Sequence, residues 1–197
     1  MRLKIGILAC ALLLIASSAF AAGMQWVGLN GGAQFPSGDL SDGAGTGWLI
    51  GGSYGYRVND KFALGAVVNY NEFGKKTVAS TDLQPKIIQY TAQGYYMLPM
   101  GKGGTQFPYL MGGLGMYSVD TDVQTLSTKS LFGANVGLGW NKMFKATTSF
   151  GIDGLYHWIS QSDEFKKANG DKASLGYFQL SAHIGWGFGG SAAAATK

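Results

Sequence analysis

Beyond residue 10 the chain contains no cysteine, its single one being Cys10. Disulfides, thiolate nucleophiles and cysteine-based metal sites are thereby excluded from the remainder. Histidine is almost as scarce, with 2 residues and no accompanying carboxylate cluster, so neither a metal nor a cofactor is expected. Charge is sparse as well: charged residues are 13% of the chain and the formal balance is +4. If Arg2 and Lys4 leave with a cleaved leader, 13 of the 15 basic residues remain against 11 acidic ones, a balance of +2 that is too weak to attract nucleic acid. Also missing after Gly23 is any apolar run long enough to cross a membrane as a helix.

The beginning of the chain has the layout of an export signal. Arg2 and Lys4 precede an apolar stretch from Ile5 to Ile15, and Ala19-Phe20-Ala21 fits an A-x-A cleavage site. Residues 1–21 are therefore read as a signal peptide cleaved near Ala21, residues 22–188 as one domain and 189–197 as a short tail. A retained anchor is disfavoured because the apolar core falls short of the ~20 residues a spanning helix needs. Lipid attachment at Cys10 is disfavoured because only five residues separate it from Lys4.

What the chain does have is glycine, 32 residues, and aromatics at 13%, arranged in alternating runs. Phe132, Ala134, Val136, Leu138 and Trp140 interleave with Gly133, Asn135, Gly137 and Gly139, which a strand sends to the opposite face. Eight such runs are read at about 24–35, 46–58, 61–73, 86–98, 107–118, 129–140, 147–159 and 174–188. With no helix to carry the chain across a bilayer, only a closed barrel satisfies every backbone group there. The expected fold is all-β: a closed eight-stranded antiparallel transmembrane β-barrel, placed in the cell outer membrane.

From the second run onward, large apolar residues favour even positions and glycine favours odd ones, so even positions are expected to face lipid. Tyr109, Met111 and Tyr117 compete with Leu110, Leu114 and Met116 in the fifth run, and Asn30-Gly31-Gly32 leaves the first ambiguous in phase, a segment that could accommodate a bulge. A soluble lipocalin-like barrel would need its large apolar side chains inside. Here the odd face offers Gly51, Asn69, Asn71, Gln89, Gln93, Asn135 and Gln179, a poor dry core.

Each tryptophan falls near a strand end, with Trp26, Trp140 and Trp186 at the periplasmic ends and Trp48 and Trp158 at the outer ends. All five are assigned to aromatic girdles at the headgroup level. Connections alternate in length. Asn59-Asp60, Pro99 to Thr105 and Asn141 to Lys145 are short, whereas Pro36 to Gly45, Gly74 to Pro85, Val119 to Thr128 and Ser160 to Ala173 are longer and expected outside the cell.

The segment QWVGLNGGAQFPSGDLSDGAGTGWLIGGSYGYRVNDKFALGAVVNYNEF at 25–73 and PYLMGGLGMY at 108–117 resemble the small outer-membrane barrel families typified by OmpX, OmpW and the barrel of OmpA. The resemblance implies insertion by the barrel-assembly machinery and contact with outer-membrane lipid and lipopolysaccharide. Ser181, Trp186 and Phe188 match the C-terminal assembly signal of such families, but His183 stands at the usual Gly position and nine residues follow Phe188.

Catalysis is not expected. Ser149, Asp153 and His157 share one face of the seventh strand, but four residues along a strand is roughly 13 Å, too far for a base and its orienting carboxylate. His157 with Ser160 does not match the arrangement that a lipid-modifying barrel would require. A luminal polar cluster of Arg57, Asp153, Gln179, Ser181 and His183 is expected instead. Gly113, Gly115, Gly133, Gly137, Gly139 and Gly151 form a wall without side chains, readable as a luminal path or as relief of crowding in a narrow barrel. Two roles follow as expectations: a monomeric, non-enzymatic barrel acting in envelope structure or surface interaction, and passage across the outer membrane of small molecules, hydrophobic ones among them. Lys75 and Lys76 are candidates to meet lipopolysaccharide phosphates.

Overall fold

The alternating runs form strands because β-branched and aromatic residues suit a pleated surface with one face buried and one in lipid. In the computed structural model, residues 24–78, 81–98, 105–121, 129–145, 147–160 and 174–189 are described. The elements are β1 (Gln25–Gly38), α1 (Leu40–Gly43), β2 (Gly45–Arg57), β3 (Phe62–Gly74), β4 (Lys76–Val78), β5 (Thr81–Leu83), β6 (Pro85–Met97), β7 (Gln106–Thr121), β8 (Lys129–Met143), β9 (Thr148–Ile159) and β10 (Leu175–Phe188). Eight strands close in the order β1-β10-β9-β8-β7-β6-β3-β2, while β4 and β5 form a small separate hairpin. Neither that hairpin nor α1 was expected within the outer connections.

Every barrel pair is antiparallel, so sheet edges are abolished. The register sets the tilt. Followed around the barrel from Trp26 through Gly55, Gly65, Gln93, Gly113, Asn135, His157 and Tyr177, the paired row returns to β1 at Pro36, ten residues further on. Ten residues of rise against eight inter-strand spacings tilts the strands by about 40°.

On β2, β3 and β6 to β10 the even side chains face outward, as expected: Leu64, Leu138 and Leu180 are 60%, 65% and 51% exposed. This settles β7, where Tyr109, Met111 and Tyr117 are buried and Leu110, Leu114 and Met116 exposed. β1 runs in the opposite phase, with Val27, Leu29 and Phe35 outward and Gln34 buried. No bulge causes this, because both β1 ladders are continuous. The phase is instead inverted by the β1–β2 pairing itself, which sets even residues against odd ones, Trp26 opposite Gly55 and Gln34 opposite Gly47. The register shift lies on β2, between Gly45 and Trp48.

The turn at Asn59 is chemically specified: its Oδ1 accepts from the backbone N–H groups of Lys61 and Phe62, both at 2.9 Å. At the opposite mouth α1 folds inward. Leu40 and Ala44 are buried in an apolar cluster with Phe73, Ile87, Tyr117, Val119, Ile159, Leu175 and Tyr177. Two polar clasps hold this segment, Ser174 N–H to Asp39 Oδ2 at 2.7 Å and Lys76 Nζ to the Ser41 carbonyl at 2.6 Å. The expected leader at 1–21 and the tail beyond Gly189 lie outside the described residues.

Candidate functional site in the barrel lumen

Inward side chains stack in three levels. The outer level is the apolar cluster under α1, where His157 and Tyr177 stack with ring centroids 4.3 Å apart and Phe73 meets Tyr177 edge-on at 5.5 Å. The inner level, toward the periplasmic ends, packs Ala63, Met97, Tyr109, Met111 and Leu155 with Trp26, Tyr95 and Phe107. Trp26, Tyr95 and Tyr109 form a chain of edge contacts at 5.8 and 5.9 Å.

Between these plugs lies a polar level of buried amides and hydroxyls. Asn30 Nδ2 donates to Asn69 Oδ1 at 2.9 Å, and Asn69 Nδ2 in turn to Gln89 Oε1 at 3.3 Å. Gln89 Nε2 reaches Thr91 Oγ1 at 3.0 Å, and Gln34 Nε2 reaches Asn71 Oδ1 at 2.8 Å. Such groups are costly unless paired, so the network holds strands β1, β3 and β6 in register through their side chains.

The residues expected to form one polar cluster are divided by the fold. Asp153 accepts from His183 Nδ1 at 2.8 Å and from the Tyr109 hydroxyl. Gln179 Nε2 donates to Ser181 Oγ at 3.0 Å as a separate pair, although Ser181 stands directly opposite Asp153 in the β9–β10 ladder. Arg57 does not join them. Its guanidinium bonds the carbonyls of Asn59 and Asp60 at 3.3 and 3.2 Å, because its position at the last residue of β2 places it in the turn. Tyr109 joins Asp153 from a strand whose two faces both carry large residues in the sequence; the odd spacing of Tyr109, Met111 and Tyr117 is the signal that marks its inward face.

Asp153 and His157 take different partners, the latter's Nδ1 lying 3.0 Å from the Tyr117 hydroxyl. Neither imidazole is hydrogen-bonded to a serine or threonine hydroxyl among the described residues. Among those residues no group of three or more His, Cys, Asp or Glu side chains is placed to hold a metal ion.

The glycine wall is covered by its neighbours. A Cβ at Gly113 would meet Gln93, at Gly115 Thr91, at Gly133 the Tyr117 ring and at Gly137 the Leu155 side chain. Gly139 lies under Tyr109 and Asp153, and Gly151 under the His183 ring. These glycines are the floor on which luminal side chains lie, which gives no continuous path along that wall. The same contact accounts for His183 standing where the assembly signal usually has Gly: its ring occupies the space left by Gly151, its direct cross-strand partner.

Four tryptophans follow the expected outward faces, Trp48, Trp158 and Trp186 being 49%, 49% and 41% exposed and Trp140 lying on the even face of β8. Trp26 is the exception. The inverted phase of β1 turns it into the lumen, where its indole covers Gly55. Phe188 and Trp186 face outward and Ser181 is buried inside.

An apolar belt around a filled, partly polar interior, closed by antiparallel strands without an edge, defines a transmembrane β-barrel. The sequence matches the family described as outer membrane protein beta-barrel domain over residues 7–189, and the chain belongs to that family. No curated protein matches it. Among solved structures it is similar to neisserial surface protein A (NspA), with a TM-score of 0.60 and 22% identity over 84% of this chain and 97% of that one. It is also similar to OprG of Pseudomonas aeruginosa, with a TM-score of 0.54 and 16% identity over 86% of this chain and 97% of that one. The protein is an outer-membrane β-barrel of the Gram-negative type.

Proposed function

We propose that this barrel is a non-enzymatic, non-conducting element of the outer membrane, acting in envelope structure or through its outer connections. One observation carries the reading: both ends of the lumen are filled, by the apolar cluster under α1 and by the aromatic cluster around Trp26, Tyr95 and Tyr109. An eight-stranded interior is only wide enough for side chains, and here they leave hydrated ions no route. The partners proposed are lipid and lipopolysaccharide around the belt, and the barrel-assembly machinery reading Trp186 and Phe188 during insertion. Lys75 is exposed and available to lipid phosphate, whereas Lys76 is committed to the Ser41 carbonyl. The chain is proposed to act as a monomer.

Planar-bilayer recording of the purified, folded barrel tests this. The expected trace is silent for the native chain, and discrete conductance steps would move small-molecule passage to first place. A Tyr95→Ala, Tyr109→Ala variant removes the inner plug and shows whether any steps arise from the lumen.

A further inference from the structure

The two rims of the barrel differ in charge. Among the described residues the periplasmic rim holds Arg57, Lys61, Lys142 and Lys145 against a single carboxylate, Asp60, a balance of four minus one, or +3, whereas on the outer rim acidic residues outnumber basic ones. Arg57 is tied to two carbonyls of its own turn. Lys61, Lys142 and Lys145 are paired with no carboxylate among the described residues. These cations form two units, on the β2–β3 turn and the β8–β9 turn, which the strand order sets on opposite sides of the barrel with two strands between them each way.

The β8–β9 unit has the layout of a headgroup site. Trp140 stands on the outward face near the periplasmic end of β8, where an indole marks the edge of the hydrocarbon. Lys142 follows two residues later on the same face, roughly 7 Å further along the strand, and so comes out at the level of lipid phosphates. Its direct partner on β9, Phe150, is 40% exposed on that face, which gives the lysine stem an apolar surface to lie on while its ammonium reaches polar surroundings. Phe144 comes next, 63% exposed, with Lys142 Nζ 5.7 Å from its ring centre, and Lys145 adds a second charge beside it. The opposite unit repeats the combination: Lys61 precedes Phe62, which is 50% exposed and packs on the Tyr96 ring at 5.0 Å.

Exposed aromatic rings flanked by unpaired ammonium groups, on the lipid face and just beyond the indole belt, match a phosphate that brings no cation of its own. A choline headgroup sets a quaternary ammonium beside its phosphate and is the poorer partner. Peptidoglycan carries carboxylates, but a wall beneath the membrane would meet a rim directed into the periplasm, not a lysine on the same face as Trp140. We propose that the periplasmic rim binds anionic glycerophospholipid, with the headgroup phosphate held by Lys142 and Lys145 beside Phe144 and, across the barrel, by Lys61 beside Phe62. The assignment rests on lipid being the partner of the belt, as proposed above, and names the lipid class at one end of it.

The test is fluorescence quenching in phosphatidylcholine vesicles, read from a variant that retains only Trp140 and is folded by its gel mobility before heating. A lysine near an anionic lipid surface favours it by roughly fivefold, so brominated phosphatidylglycerol should quench Trp140 with an apparent affinity at least about fivefold above that of brominated phosphatidylcholine of the same chains. Added salt should shrink the difference. Lys142→Gln together with Lys145→Gln should bring the two lipids to parity at Trp140, and should leave quenching unchanged in a variant that retains only Trp158, at the other end of β9. Equal quenching of Trp140 by the two lipids, or a preference that survives both substitutions, would overturn the proposal while leaving the lipid-facing belt standing. Parity combined with lysine-dependent sedimentation on purified peptidoglycan would overturn it in favour of the cell wall. No quenching by either lipid, at Trp140 and Trp158 alike, would overturn the belt as well.

Discussion

Replacing His183 with leucine tests whether the inner plug is held together by its one ionisable pair. Asp153 has two donors, His183 Nδ1 and the Tyr109 hydroxyl, and the paired side chains are only 18% and 14% exposed. A hydrogen bond to a charged group is worth about 1.5–3 kcal/mol, and the carboxylate that remains would be buried with a single donor, so the expected loss is about 3 kcal/mol. Replacing Asp153 and His183 together with leucine removes the charge along with its partner. What remains is the unpaired Tyr109 hydroxyl, which costs about 1–2 kcal/mol. The double variant should therefore be more stable than His183→Leu alone, although it carries one more substitution. Urea titration of the barrel in lipid vesicles, followed by tryptophan emission and by gel mobility without heating, measures both. A His183→Leu barrel as stable as the native one, or a double variant weaker than the single, would refute the assignment.

Further outcomes follow from the same geometry. Gly32→Ala should prevent a folded, heat-modifiable band from forming, because a Cβ there would overlap the Leu180 carbonyl of the paired strand; Gly94→Ala, whose Cβ would meet only the Gly112 carbonyl at 3.8 Å, should change stability by no more than about 0.5 kcal/mol. In vesicles of brominated lipid, a variant retaining only Trp26 should resist quenching, whereas one retaining only Trp158 should be quenched strongly; equal quenching would place Trp26 outside. Tyr177→Ala should cost about 3–5 kcal/mol in the urea titration, since the ring is fully buried between Phe73 and His157.

Most of the barrel was legible because its code is local. A strand in lipid must show alternating side chains, and seven of the eight runs do so in one phase, so their bounds and faces follow from residues such as Leu64, Tyr90, Leu138 and Ile152. The phase of β1 was not legible because it is set by pairing rather than by composition. Ala33, Gly31 and Gly32 carry no side chain large enough to mark a face, so only the register against β2 places Gln34 inside and, with it, Trp26. Arg57 illustrates another limit: one residue of strand length separates a luminal cation from a turn cation. The Asp153–His183 pair was anticipated as a neighbourhood because the β9–β10 hairpin forces it. The odd spacing of Tyr109, Met111 and Tyr117 marks an inward face, but that Tyr109 meets Asp153 from β7, two strands away, is set by register and not by local sequence.

The covering of inward glycines by their neighbours has a consequence for how such a sequence can vary. Trp26 fills the space of Gly55, Tyr109 that of Gly139 and His183 that of Gly151, each pair being directly opposed across two strands. Neither member is selected alone. A bulky residue arriving at position 55, 139 or 151 has room only if its partner shrinks in the same lineage, so the interior should drift by reciprocal exchange of ring and glycine between adjacent strands. Aligned relatives would then show these columns as variable one by one and invariant in combined volume, a trace of barrel register written in substitutions.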